Sequence, residues 1–400
     1  MNIIIVGGGV SGVVTAIRAS KSNNKITILE RNDKLLKKLL LTGNGRCNYF
    51  NEDRRLSNFH SSDNKLLEEI INIKNLDEVL EFFNYLGIVP KIINGYYYPY
   101  SNQASSVRDA LIYELNRKKI SVKYNYLVKN IEKKNDKFII NDELKCDKLV
   151  ISTGSFAYPK TGSDGMGYTF LSKFSHNIIK VSPSLVQLKS NSKYTKKLSG
   201  VRSEVEVSLY ENNKFISKEN GQIQFTDYGL SGICIFNLSY YVSRSLPNNK
   251  KEIRINFLPF IKDNAAIWFN EFSLSHNKSI ANLLEGILNI KIVNVILENL
   301  SIDKNSYYQE LDFNTKNKLI ESLTNFKFNI TGSLDFNHSQ VCSGGVDLKE
   351  VNTSNLESKL ISNLYITGEL LDITGNCGGY NLENAVVSGI LVGDDLSDKS

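Results

Sequence analysis

The sequence predicts an α/β fold in which a dinucleotide-binding domain is interrupted by an antiparallel, β-rich insertion and a helical segment. Three observations carry this. The chain opens Asn2-Ile3-Ile4-Ile5-Val6-Gly7-Gly8-Gly9-Val10-Ser11-Gly12, an apolar strand running through a glycine turn into a helix. Near Pro183 the texture changes to short alternating segments separated by turn residues. The α/β pattern returns at Leu364-Tyr365-Ile366-Thr367. A chain of 400 residues exceeds one ordinary core. The expected layout is a first nucleotide-binding part over 1–183, a β-barrel-like domain over 184–261, a helical subdomain over 262–332, and a completing nucleotide-binding part over 333–400.

Each element has a local reason. Gly7 permits the tight turn off the first strand, Gly9 lets a pyrophosphate approach the backbone, and Gly12 lets the helix pack on the sheet. The second strand, Ile26-Thr27-Ile28-Leu29, ends on Glu30, which can accept from a ribose hydroxyl. The pyrophosphate would sit on the free N–H groups of the helix beginning near Val10. A Gly-rich loop follows at Leu41–Asn48. Helical periodicity over 64–86 predicts one helix ending at Gly87, then a Tyr- and Ile-rich strand pair over 88–100 and a helix over 103–118. Strands are expected at 121–129, 138–140 and 149–152, the last ending in Thr153-Gly154. In the insertion, 201–210, 222–226, 233–241 and 251–258 read as strands, and 262–330 as mostly helical. A last helix over 381–393 follows Gly378-Gly379.

Composition narrows the function. The net charge of +6 is small for this length, and Lys and Arg are scattered, so nucleic-acid binding is not expected. Five cysteines contain no C-x-x-C pair, which argues for a reducing compartment without a disulfide framework. The four histidines are dispersed, so no metal site is expected. Without an n-region or a long apolar run, the reading is of a soluble, cytoplasmic protein that meets no membrane.

Four blocks in this order resemble a bacterial flavoprotein family that includes aminoacetone oxidases and a bile-acid dehydrogenation-product reductase. They are the N-terminal glycine fingerprint, Thr42-Gly43-Asn44-Gly45-Arg46-Cys47-Asn48, Tyr158-Pro159-Lys160-Thr161-Gly162-Ser163-Asp164-Gly165-Met166-Gly167-Tyr168, and Gly368-Glu369-Leu370-Leu371-Asp372 through Gly378-Gly379-Tyr380-Asn381. Phe225–Gly232 and Ser343–Val346 agree. The resemblance implies FAD in a glutathione-reductase-like Rossmann domain, interrupted by an inserted antiparallel β-barrel and a helical subdomain. Asn44 departs from the usual glycine, a change that Asn tolerates through its access to left-handed backbone. Cys377 stands where a threonine or apolar residue is more common.

A flavin needs a grip on its ADP half, polar contacts along the ribityl chain and electrostatic control of its ring. Gly7, Gly8, Gly9, Ser11, Gly12 and Glu30 are candidates for the first, with Arg31, Lys38 and Val128 as further candidate cofactor contacts. Gly45, Arg46, Cys47 and Asn48 are candidates for the pyrophosphate or the flavin rim, the bland alternative being a surface Arg and a turn-forming Asn. Thr153 and Gly154 match a turn that closes over the cofactor. Gly368 and Glu369 would offer backbone N–H groups, and Asp372 would bind ribityl hydroxyls. Gly378, Gly379, Tyr380 and Asn381 open a helix whose N-terminus, aimed at the flavin N1–C2=O edge, would favour negative charge there.

Tyr158 and Lys160 are the catalytic candidates, as proton donors or substrate-orienting groups, against the alternative of a rigid turn with a solvated lysine. His176 is expected to pack at a helix end. Cys47 and Cys377 lie in motifs near the flavin, either as a redox pair or, more often for such residues, as small buried apolar groups. No second G-x-G-x-x-G is present. NAD(P)H would therefore act as a transient donor over the flavin, or oxygen would reoxidise it. The favoured reading is a reductase of a small apolar carbonyl- or enone-like substrate, with the insertion roofing a pocket. An amine oxidase is the alternative, and a tRNA-acting or non-catalytic flavin-binding protein is the remote one.

Overall fold

The run Ile3–Val6 is buried throughout, which requires cover on both faces and so favours a parallel sheet. A computed structural model describing residues 1–73, 76–262 and 264–398 has that sheet. β1 (Asn2–Val6) lies at its centre, between β2 (Lys25–Leu29) and the strand Lys148–Ile151. The order is Leu364–Ile366, Lys148–Ile151, β1, β2, Ser121–Lys123, with every pairing parallel. The register aligns Val6 with Leu29 and Ile151, so the three strands end level beside Gly7, Glu30 and Ser152. Helix α1 (Val10–Ala19) buries Val13, Val14, Ala16 and Ile17. It is fastened to the C-terminal helix Tyr380–Asp398 by two bonds of 2.7 Å from Arg18 to Asp394.

The chain divides into two compact units, Met1–Pro183 with Ser339–Ser400, and Ser184–His338. The second is a closed antiparallel barrel of six strands: Leu188–Ser190, Gly229–Gly232, Lys214–Phe225, Arg202–Glu211, Lys251–Asn256 and Phe326–Ser333. The last closes back on the first, Leu188 facing Ser333. Between Asn256 and Phe326 the chain leaves the barrel for the helices Ala265–His276, Ile280–Glu285, Ile290–Leu300 and Phe313–Thr324. No helix among the described residues is long and apolar enough to cross a membrane.

Three expectations are corrected. Residues 233–241 are not a strand but the start of a helix, Ile233–Arg244. Cys234, Ile235, Leu238 and Val242 all face its core at helical spacing, and tertiary burial outweighs the β-propensity of its Ile, Phe, Tyr and Val. The helical segment does not run to 330: Phe326–Ser333 alternates buried and exposed positions and closes the barrel. The strand from Ser121 stops at Lys123, because Asn125 adopts φ +53° and turns the chain. Of the helix expected over 64–86, Asn64–Ile73 and Leu76–Tyr85 are helical, and 74–75 lie outside the described residues.

Candidate functional site

The N-terminal turn is built by close approach of backbone to backbone. Gly7 has φ +108°, and a Cβ there would lie 2.5 Å from the Ser152 carbonyl oxygen. A Cβ on Gly12 would collide with the carbonyl oxygen of Gly7 and lie 2.5 Å from Ser152 Oγ. Ser152 Oγ donates to the Val6 and Gly7 carbonyls at 2.9 Å and pins this crossing. Gly9 differs. A Cβ there would meet nothing nearer than 4.0 Å, so one side of its backbone is open. Gly9 caps α1 without a side chain, and the N–H groups of Val10, Ser11 and Gly12 have no acceptor among the described residues. An open backbone before unsatisfied helix-terminal donors fits a pyrophosphate.

Glu30 does more than end β2. Its Oε2 accepts from the Gly8 N–H at 2.8 Å, and Oε1 accepts from the Asn32 backbone and side-chain nitrogens, also at 2.8 Å. The carboxylate braces the glycine turn from the end of β2. The Glu30 carbonyl receives the Tyr126 N–H, which brings the segment leading to buried Val128 alongside. Arg31 turns to Asp164 and the Gly162 carbonyl. Asn32 Nδ2 donates to the Thr161 carbonyl at 3.1 Å. The segment carrying Tyr158 and Lys160 is therefore anchored at the Glu30–Asn32 end. Lys160 is exposed and has no ion-pair partner among the described residues. Tyr158 is half-buried at φ +51°.

Lys38 and Glu369, distant in sequence, form an ion pair of 2.9 Å, and Glu369 Oε1 accepts from the Cys342 N–H. In the loop between them and the core, Arg46 lies 4.8 Å over the Tyr98 ring, and its Nε donates to the Gly43 carbonyl beside Gly45. The Asn48 amide donates to the Tyr97 and Phe50 carbonyls. Burial pushes the Cys47 thiol up to about 12 and the Cys377 thiol to about 11, so both stay protonated at neutral pH. Each of the five cysteines is a thiol and not half of a disulfide. The Thr153 hydroxyl is buried with no partner among the described residues, and Gly154 turns at φ +73° against Ser163. His176 is buried and bonds Ser358 Oγ and the Leu171 carbonyl, a packing role at the end of the helix Met166–Lys173.

The C-terminal motif meets the N-terminal one. Thr367 Oγ1 donates to Ser11 Oγ at 3.2 Å, and a Cβ on Gly368 would be 2.7 Å from that same oxygen. The Gly368 N–H donates to Ser388 Oγ of the C-terminal helix. Asp372 Oδ2 accepts from the Ser62 N–H at 2.8 Å and from Ser61 Oγ at 3.3 Å. Asn381 clasps Gly375, accepting from its N–H and donating to its carbonyl, both at 2.8 Å. Its amide fixes the loop's shape. Gly379 has φ +100°, and a Cβ there would lie 3.0 Å from the Phe50 backbone and 2.9 Å from the Asn48 amide. The protein's own strand already demands this glycine. Tyr380 is buried edge-on against Phe59. The N–H groups of Tyr380 and Asn381 have no acceptor among the described residues.

Two residues here escaped the sequence reading. Glu383, in the first turn of the C-terminal helix, is 2% exposed and lies 2.9 Å from Arg54 Nε. Burial outweighs Arg54 and pushes its carboxyl up to about 7. An acid in the first turn after a glycine pair was a readable signal. Its partner in the loop after Phe50–Asn51 had none.

The sequence matches the HI0933-like protein Rossmann domain family over residues 1–395. The chain belongs to this family. It is 35% identical to the 3-dehydro-bile acid delta(4,6)-reductase of Clostridium scindens, over 99% of this chain and 98% of that protein. It is 24% identical to the ribosomal RNA dihydrouridine synthase of Escherichia coli, over 98% and 97%. The crystal structure of a 3-ketosteroid-delta4-(5alpha)-dehydrogenase from Rhodococcus jostii shares the fold at 11% identity and a TM-score of 0.50, covering 99% of this chain and 96% of that one. The chain is an FAD-dependent oxidoreductase with a Rossmann-type FAD-binding domain. The open Gly9 backbone, the unsatisfied N–H groups of both helices and the unpartnered Thr153 hydroxyl fit that cofactor.

Proposed function

We propose that the protein passes a hydride from NAD(P)H through FAD to a small apolar substrate bearing a carbonyl-conjugated double bond. The observation that carries this is whole-length similarity, at 35% identity, to a protein named as a reductase of such a substrate class. FAD supplies the ring that accepts and releases the hydride. The chain's own residues bind and orient. The N–H groups from Val10 to Gly12 would hold the pyrophosphate, with Gly7, Gly8 and Gly9 shaping the turn. Glu30 would hold the adenosine ribose and Asp372 the ribityl chain. Tyr380 and Asn381 present backbone N–H groups at the helix end that favours negative charge. Tyr158 and Lys160 remain the side chains to test for proton delivery.

Relatives named as ribosomal RNA dihydrouridine synthases favour a second reading, in which the double bond belongs to a uracil in RNA. One experiment separates the readings. The FAD-loaded protein is titrated anaerobically with NADH and with NADPH while flavin absorbance is followed. It is then offered a steroid enone or an unmodified ribosomal RNA fragment. Bleaching by a pyridine nucleotide and reoxidation by the enone support the proposal. Reoxidation by RNA alone moves the assignment to the second reading. No bleaching, with peroxide formed from amines in air, replaces both with the oxidase.

A further inference from the structure

The C-terminal helix begins with an arrangement that binding alone does not require. Its first turn holds a buried acid, Glu383, at 2% exposure. One carboxyl oxygen, Oε1, is 2.9 Å from Arg54 Nε, and Arg54 is itself anchored by a 2.8 Å bond to the Ile71 carbonyl. The other, Oε2, is buried with no hydrogen-bond partner among the described residues. A buried carboxylate ordinarily has every lone pair satisfied, so a bare oxygen favours the protonated form. The helix terminus and Arg54 favour the anion. The two tendencies nearly balance, and the carboxyl is poised near neutrality, at about 7.

The surroundings isolate this balance. Arg54 is the charged group facing Glu383. Tyr380, on the same helix, is held protonated by burial. Asp53 and Arg55 pair with each other. On the helix Leu76–Tyr85, Glu78 and Glu81 line a cleft of about 420 Å³ beside Ile390, roughly two turns along the C-terminal helix. On α1, Arg18 is committed to Asp394.

We propose that Glu383 is a proton-holding residue behind the N-terminus of the C-terminal helix, taking a proton from solvent when negative charge arrives at that N-terminus and returning it when the charge leaves. The inference rests on the reading that FAD lies at this helix end. It makes the cofactor's readiness to accept electrons depend on pH through a residue that need not touch it. No bond other than the carboxyl O–H forms or breaks at Glu383: the proton comes from solvent, and the electrons reach the cofactor from NAD(P)H or, in the test below, from the electrode.

The test is spectroelectrochemical. The FAD-loaded full-length protein is reduced across the range from about pH 5.5 to 8.5, and the flavin midpoint potential is recorded for wild type and Glu383→Gln. Wild type is expected to take up about one more proton per electron pair above neutrality than below it, giving a break in slope that the variant loses. Above neutrality the variant's potential is expected to be the higher, because a negative charge has gone. If Glu383→Gln does not fold, infrared difference spectra of wild type with 13C-labelled glutamate provide the readout. A protonated carboxyl band growing on reduction supports the proposal, and no such band overturns it. Equal pH profiles for the two proteins overturn it while leaving FAD binding intact. A protein that takes up no FAD overturns the cofactor reading together with this one.

Discussion

Two glycine turns feed two helices in the same unit, and they use glycine differently. At the N-terminal turn, Gly7 and Gly12 are demanded by the end of the neighbouring strand at Ser152, while Gly9 has open space on its free side. At the C-terminal turn, Gly379 is demanded by the Phe50 backbone and Asn48, and Gly378 lies close to the side chains of Tyr380, Asn51 and Tyr96. The first helix carries no acid in its first turn, and the second carries buried Glu383. One turn has an open-sided backbone, and the other is a packed joint with a titratable group behind it. The same residue type thus leaves open backbone in one place and secures internal fit in the other. Only the Cβ environment tells them apart.

Substitutions can break that contrast. Gly7→Ala forces a side chain onto positive φ and into the Ser152 carbonyl, and is expected to cost about 3–4 kcal/mol and most of the bound flavin. Thermal unfolding and the flavin-to-protein absorbance ratio check it. Next comes the pH dependence of Glu383, whose carboxyl rises from the ordinary 4.5 to about 7. Unfolded, the group ionises first, so between these values the folded state binds more protons and stability falls as pH rises. The loss is about 3 kcal/mol, measurable by urea unfolding of the flavin-binding unit at successive pH values. Glu383→Gln is expected to flatten that slope. Gly379→Ala is expected to cost about 2 kcal/mol, through strain at positive φ and contact with Phe50. A variant as stable as wild type would remove the packed-joint interpretation. Gly9→Ala is expected to change stability by no more than about 1 kcal/mol yet weaken FAD binding about tenfold. Equal affinity by isothermal titration would erase the distinction between open turn and packed joint.

The contrast also shows where the sequence was readable. Gly7, Gly9, Gly12 and Glu30 sit within one strand–turn–helix–strand unit, so their local spacing carried their geometry. The strand Leu364–Ile366 and the helix after Gly379 were legible for the same reason. The Lys38–Glu369 and Arg54–Glu383 pairs were not, because each joins residues more than 300 positions apart and neither partner's neighbours foretell the other. Residues 233–241 misled because Ile, Phe and Tyr suit a strand, whereas the burial of Leu238 and Val242 requires a helix. Phe326–Ser333 was lost inside a helical stretch because its partners, Leu188–Ser190 and Lys251–Asn256, lie far upstream.

The order of the chain has a consequence for its biogenesis. The barrel is complete once Ser333 has been synthesised, since its last strand pairs only with strands already made. The parallel sheet must wait for Leu364–Ile366, and the joint at Gly379 for the final helix. On a ribosome, the inserted unit can therefore be finished while the interrupted one is still open. A nascent chain stalled before residue 364 would carry a closed barrel and a half-built nucleotide fold.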